Sequence, residues 1–212
     1  MSTIWEPLTE RIGIYRTEQY PINEDSLRLV SFLHVQKKDR VLDFGTGNGI
    51  LSILSEAEHG GFYTGIDIDP DAIGLAKESA GRNGQDIAFI PLSVSDAPSY
   101  FGHGTFDRII ANPPYFTTGA LGARSLARHT DEALLYDWCA AAFLLLNNGG
   151  TFSLCYPAEK LTVLTRALDQ NRLMPKRMEL ILTGQKVRLI LVEAKKLGKD
   201  GLTLTVFGDG HS

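Results

Sequence analysis

The chain has two cysteines in 212 residues and no basic-then-apolar amino end. Nor does any apolar run approach the roughly 20 residues that a membrane-spanning helix needs. These features exclude a helical membrane anchor and a secretory leader, so the sequence predicts a cytoplasmic protein with no membrane partner. Cys139 and Cys155 each sit among apolar neighbours, which suits buried free thiols better than a disulfide or a metal site. His34, His59, His103, His129 and His211 are scattered without ligand spacing, and no metal is expected. A Gly-Lys-Ser or Gly-Lys-Thr phosphate loop is missing, as are a Ser/His/Asp order and a motif of paired carboxylates.

A composition 43% hydrophobic and 22% charged is ordinary for a soluble protein, and the length suits one domain, residues 1–212, with 1–39 as an amino-terminal extension and helix. The formal charge of −4 disfavours a generic nucleic-acid coat but hides an asymmetry. Residues 172–212 hold eight basic and four acidic side chains, whereas residues 1–171 hold 13 basic and 21 acidic.

Residues 1–20 read as irregular, either an arm over a partner or a packed extension, and Asn23 or Asp25 opens a helix to about His34. Arg40–Phe44 reads as a buried strand followed by a helix from Ile50 to about Ala57. Phe62–Asp67 is a second strand, and Pro70 starts a helix to about Asn83, with Asp69 as its cap. Ile87–Pro91 and Phe106–Ala111 continue the strands, and residues 116–130 form a long polar connection to a helix over 131–146. A strand over 151–156, a helix over 157–169, a hairpin of 178–183 with 187–192, and an edge strand over 202–207 complete the pattern. Alternation of strand and helix predicts an α/β fold, a mostly parallel sheet with helices on both faces.

The first strand opens on Gly45-Thr46-Gly47-Asn48-Gly49, a tight turn that lets a ligand approach the backbone at a helix start. Asp67 ends the second strand, 18 residues beyond Gly49, where an acid accepts hydrogen bonds from ribose hydroxyls; Ile68 follows it. Asp43, before the loop, suits a cationic amino group. The set favours an amino-acid-bearing nucleoside, S-adenosylmethionine, over a dinucleotide or a merely structural turn. Asp96 either reaches the adenine amine with Ser95 lining the ring, or caps a local turn.

Asn112-Pro113-Pro114-Tyr115 stands at the carboxyl end of the fourth strand, where ligands bind in open parallel sheets. The prolines stop the ladder and stiffen the turn. The Asn112 side-chain oxygen and the Pro113 carbonyl can accept the two N–H bonds of a planar amine, and Tyr115 can stack on its ring, so that orientation and aimed dipoles supply the catalysis.

Asp43-Phe44-Gly45-Thr46-Gly47-Asn48-Gly49 with Asn112-Pro113-Pro114-Tyr115-Phe116 resembles the class I S-adenosylmethionine-dependent methyltransferases acting on nitrogen. Gly119, the Ala127-Arg128-His129-Thr130 segment, the helix that follows it, residues 24–35 and the hairpin from Pro175 to Ala194 resemble, more narrowly, the bacterial tRNA adenine-N6 methyltransferases of valine tRNA. The resemblance implies a Rossmann-like, seven-stranded, mostly parallel sheet whose last strand is antiparallel. It also implies a cofactor site on Asp43, Gly45, Thr46, Gly47, Asn48, Gly49, Asp67, Ile68, Ser95, Asp96 and Asn112. Asn112, Pro113 and Tyr115 would position the target adenine. tRNA would meet Pro114, Tyr115, Phe116, Arg124, Arg128 and His129, and also Lys176, Arg177, Lys186 and Arg188 if the basic residues form one face. A release-factor glutamine N5-methyltransferase, another adenine methyltransferase or a nonenzymatic RNA-binding protein are the alternatives.

Overall fold

The computed structural model describes residues 2–22, 24–113 and 124–208, without the side chains of 124–131. In chain order, β1 (Ile4–Pro7), β2 (Gly13–Arg16) and α1 (Glu24–Phe32) precede β3 (Arg40–Phe44) and α2 (Ile50–His59). There follow β4 (Phe62–Asp67), α3 (Pro70–Asn83), β5 (Ala88–Pro91), α4 (Ala97–Phe101) and β6 (Phe106–Ala111). The remainder is α5 (Arg124–Leu145), β7 (Leu146–Pro157), α6 (Leu161–Gln170), β8 (Leu173–Thr183), β9 (Lys186–Lys196) and β10 (Thr203–Phe207).

Eight strands form one sheet in the order β10-β8-β9-β7-β6-β3-β4-β5. β9 runs antiparallel to both neighbours, and the other pairings are parallel. The seven-stranded expectation gains β10, the edge strand read over 202–207, lying parallel to β8.

Alternate residues of each central strand feed opposite layers, as the two-residue strand period requires. Leu42, Phe44, Ile109 and Leu154 pack with α4, α5 and α6; Val41, Ile110 and Cys155 pack with α1, α2 and α3. Both cysteines are buried, and no disulfide joins them. Among the described residues no helix is long and apolar enough to cross a membrane.

The structure departs from the sequence reading in several places. Residues 4–16 are a paired hairpin rather than irregular chain, docked on α3: Tyr15 N–H donates to Ser79 Oγ at 2.9 Å, and Gly13 exchanges hydrogen bonds with the Asn83 carboxamide. The Arg82 guanidinium lies 4.1 Å from the Trp5 ring centroid, so the hairpin is a packed extension. Helix α5 begins at Arg124, inside the stretch expected as a connection, and a five-residue helix, α4, follows Asp96. β8 starts at Leu173, five residues earlier than expected, through an irregularity between Pro175 and Arg177 that lets a proline enter the strand.

Gly65, in the middle of β4, joins this core to the glycine loop: a Cβ there would lie 2.6 Å from the Phe89 ring and 2.7 Å from Thr46 Oγ1. Replacing Gly65 by Ala should therefore cost about 1–3 kcal/mol. Chemical denaturation measures this, and a wild-type midpoint would contradict so close an approach.

Candidate functional site

Phe44 and Ala111 are partners in the β3–β6 ladder, so the two motifs leave adjacent strands side by side at the carboxyl edge of the sheet. The glycine loop closes with Thr46 N–H on Ile66 O at 2.9 Å and Gly47 N–H on Asp67 Oδ2 at 2.9 Å. Gly45, Gly47 and Gly49 all have positive φ, at 62°, 57° and 85°. Their surroundings differ: a Cβ on Gly45 would meet the Trp138 indole at 2.8 Å, and one on Gly49 would press on Ala76, Ile53 and Phe89. Among the described residues a Cβ on Gly47 meets nothing within 4 Å, which marks the open side of the loop.

That side faces a cavity of about 260 Å³ lined by residues of the glycine loop, by Tyr20 and Pro21 of the segment before α1, and by Ser26 and Asn112. Larger clefts lie beside the β1–β2 turn and at the opposite edge of the sheet, but they contain neither motif. Tyr20 straps the loop: its hydroxyl donates to Asp69 Oδ2 and its carbonyl accepts from Asn48 Nδ2 at 3.3 Å. Its hydrogen bond to Asp69 lowers the carboxyl pKa of that residue, while burial and the same carboxylate raise that of Tyr20. Asp69 also caps α3 by accepting from Asp71 N–H, as expected. Motif spacing does not reveal Tyr20, Pro21 or Ser26, because they reach the loop only through the fold; the ring of Tyr20, in an otherwise irregular stretch, was the available signal.

Asp43 is fully buried on the α2 face of β3. Its Oδ2 accepts from Thr46 Oγ1 at 2.6 Å and Ser52 Oγ at 2.9 Å, while Oδ1 is a buried oxygen with no hydrogen-bond partner. Burial outweighs the two hydroxyl donors and pushes the carboxyl up to about 7. Asp67 accepts from Gly47 N–H on one oxygen and from Asp69 N–H on the other, leaving each oxygen a further lone pair. Ile68 beside it is 78% exposed. Asp96 accepts from Ser93 Oγ at 2.7 Å in the turn that leads into α4, and Ser95 lies in the same turn.

Asn112 is half-buried and Pro113 buried at the end of β6. Nδ2 of Asn112 donates to Ser26 Oγ at 2.8 Å, and Cys155 Sγ donates to its Oδ1 at 3.0 Å. Pro114, Tyr115 and Phe116 lie outside the described residues, as do the side chains of Arg124, Arg128 and His129.

The basic residues do not converge on one face. β9 carries Lys186 and Arg188 to the carboxyl edge, beside Pro157, and Lys195 to the amino edge, opposite Thr151. These positions are roughly 30 Å apart along the strand. Lys176 and Arg177 lie toward the amino edge and are engaged there, Lys176 with the carbonyls of Lys199 and Asp200, Arg177 with Phe32 O and the Phe32 ring. Arg188 pairs with Asp25 at 2.7 Å, and it and Lys186 are both exposed at the carboxyl edge.

The methyltransferase small-domain model matches residues 11–156. The chain belongs to that family. It is 30% identical over 186 residues to the tRNA1(Val) (adenine(37)-N6)-methyltransferase of Shewanella amazonensis, covering 85% of this chain and 79% of the relative. The structure of TrmN from Thermus thermophilus superposes with a TM-score of 0.65 at 25% identity, over 80% of this chain and 48% of that one, so the chain spans about half of the Thermus protein. The structure of a predicted O-methyltransferase from Agrobacterium tumefaciens gives a TM-score of 0.70 at 20% identity over 88% of both chains, a likeness of fold alone. The family member described here is thus an S-adenosylmethionine-dependent methyltransferase with a Rossmann-like class I fold. Its cradle fits that cofactor, a nucleoside bearing cationic groups: open space at Gly47, acceptor capacity on Asp67 and an orphaned carboxylate oxygen on Asp43.

The raised Asp43 pKa has a thermodynamic consequence. Between the unfolded value of about 4 and about 7 the folded state holds this proton more tightly, so its contribution to stability is full at the acid end and lost as pH rises through about 7. Urea midpoints of the cofactor-free protein should carry this downward component from pH 5 to 8, and Asp43→Asn should remove it; identical profiles in the two proteins would contradict the assignment.

Proposed function

We propose that the enzyme transfers the methyl group of S-adenosylmethionine to the exocyclic N6 amine of an adenine in tRNA, next to the anticodon of valine tRNA. The reading is carried by one observation: the glycine loop and Asn112 line a single cavity at the carboxyl edge of the sheet. The names of its relatives, which specify adenine 37 of tRNA1(Val), support the choice of nucleic acid and position. A tRNA substrate also fits a cytoplasmic location.

Gly45, Thr46, Gly47, Asn48 and Gly49 form the floor of the cofactor site, with Asp67 accepting from ribose hydroxyls and Asp43 facing the amino group. Ile68 offers an exposed apolar surface for the adenine ring of the cofactor. When bound, S-adenosylmethionine supplies an electrophilic methyl group on a sulfonium. An exocyclic adenine amine is a poor nucleophile because its lone pair is delocalised into the ring. Asn112 Oδ1 and the Pro113 carbonyl accept its two N–H bonds and stabilise the positive charge that grows on nitrogen as the methyl is transferred. The nitrogen gains the methyl and then sheds one proton to solvent, so the site needs no strong base. Tyr115, flanked by Pro114 and Phe116, stacks on the base and fixes its angle.

An adenine in an anticodon loop is accessible without opening a duplex, and splayed bases are how RNA loops are read. Lys186 and the side chains of Arg124, Arg128 and His129 are the proposed phosphate and base contacts. Arg188, tied to Asp25, serves chiefly to hold α1.

Radiolabelled methyl transfer to total tRNA, ribosomal RNA, DNA and release factor, followed by nucleoside analysis, tests the assignment. Label in N6-methyladenosine of valine tRNA is expected, and label in protein glutamine instead would replace the substrate. Asn112→Ala should bind cofactor normally while losing about 100-fold in transfer, some 3 kcal/mol of transition-state stabilisation; near-normal turnover would remove Asn112 from the mechanism.

A further inference from the structure

We propose that Ser26, acting with Cys155, is a positioning residue that holds the Asn112 carboxamide with its oxygen in the accepting orientation. This rests on the reading above, in which Asn112 Oδ1 meets the target amine.

A carboxamide is nearly symmetric in shape and opposite in chemistry at its two ends, and its terminal torsion is broad and two-fold. Rotated by half a turn, it sets an N–H donor against the N–H of the substrate amine, and the acceptor is lost. The backbone of β6 delivers Asn112 to the right place but does not choose between the two orientations. Its neighbours do so from opposite sides. Ser26 Oγ, buried on α1, accepts from Nδ2 at 2.8 Å, and Cys155 Sγ, fully buried on β7, donates to Oδ1 at 3.0 Å.

The two partners have different weight. A serine hydroxyl donates or accepts, so Ser26 alone would tolerate either orientation. A thiol is a weak donor and a poorer acceptor, so facing it with Nδ2 forfeits that bond, and the degeneracy is broken. Ser26 supplies the stronger bond and Cys155 the direction.

The clamp is itself braced. Asp25, next to Ser26, receives a two-pronged contact from Arg188 of β9, at 2.7 and 3.3 Å, which ties the start of α1 to the carboxyl edge of the sheet. Three strands, β6, β7 and β9, thereby hold one helix against one side chain. Ser26 and Asn112 are 86 residues apart in sequence and share the wall of the cofactor cavity, so cofactor site and amine acceptor are set by one contact.

The test is a double-mutant cycle on the full chain, with wild type, Ser26→Ala, Ser26→Thr, Asn112→Ala and the Ser26→Ala/Asn112→Ala double variant. kcat on valine tRNA, cofactor Kd and Tm are measured for each. A second readout is the Asn112 side-chain amide signal in ¹⁵N–¹H spectra, identified by its disappearance in Asn112→Ala. Ser26→Ala should lose roughly tenfold in kcat, with a smaller change in cofactor Kd and a Tm near wild type. Ser26→Thr should recover most of it, the double variant should be no slower than Asn112→Ala, and the amide signal should move in Ser26→Ala. An equal loss on the Asn112→Ala background, or an unmoved amide signal, would overturn the proposal. Should Ser26→Ala fail to fold, Cys155→Ala against Cys155→Ser enters the same cycle, with the hydroxyl expected to restore what the methyl loses. If wild type moves no methyl to tRNA, the substrate is wrong, and the amide signal still decides whether Ser26 orients Asn112.

Discussion

Parallel pairing of Phe44 with Ala111 fixes how far apart the two halves of the site can be. Neighbouring strands lie about 4.8 Å apart, and both chains leave the sheet one residue later, one as Gly45 and the other as Asn112. Slippage of this ladder by a single residue would turn Leu42 and Ile109 out of the α5 layer and Asp43 away from α2. The hydrophobic pattern that builds the core therefore also sets the distance between cofactor loop and amine acceptor. Trp138 of α5 adds to this, since its ring stands where a Gly45 side chain would have to go.

Three acidic side chains gather around the loop, and the structure accommodates each differently. Asp43 is buried with two hydroxyl donors and holds its proton to about 7, Asp67 spends its charge on backbone amides, and Asp69 is met by the Tyr20 hydroxyl. The carboxylates of Asp67 and Asp69 beside the loop repel phosphate and suit a ligand carrying positive charge, which separates this loop from the pyrophosphate-binding loops it resembles in glycine spacing. Tyr20 belongs to this electrostatic pattern as much as to the packing, because its hydroxyl reaches Asp69 across the outer wall of the cavity.

Much of this was legible in the sequence because the signals are local. Runs such as Arg40–Phe44, Phe62–Asp67 and Phe106–Ala111 have the same bounds in the structure, each followed within three residues by a glycine or a proline. Ser26 and Cys155 were not legible as neighbours of Asn112, since a helix and a strand from distant parts of the chain bring them there. The β1–β2 hairpin was missed for the opposite reason. Its strands are four residues long, and the contacts that order it, from Ser79, Arg82 and Asn83, belong to α3.

The cluster of basic residues near the carboxyl end shows what a linear count cannot carry. Eight cations within 41 residues suggest a phosphate-binding stripe, yet a hairpin whose strands are 11 residues long sends them to both ends of the sheet. Arg177 covers the Phe32 ring and Lys196 reaches Leu146 O, contacts in which a long cationic side chain shields apolar surface and satisfies carbonyls. Arg188 is drawn into the Asp25 pair at the site's own edge. Charge segregation along the chain thus resolves largely into structural bracing of β8 and β9, while Lys186 and Arg188, where β9 begins, keep their exposure at the edge from which a nucleic acid would approach Asn112.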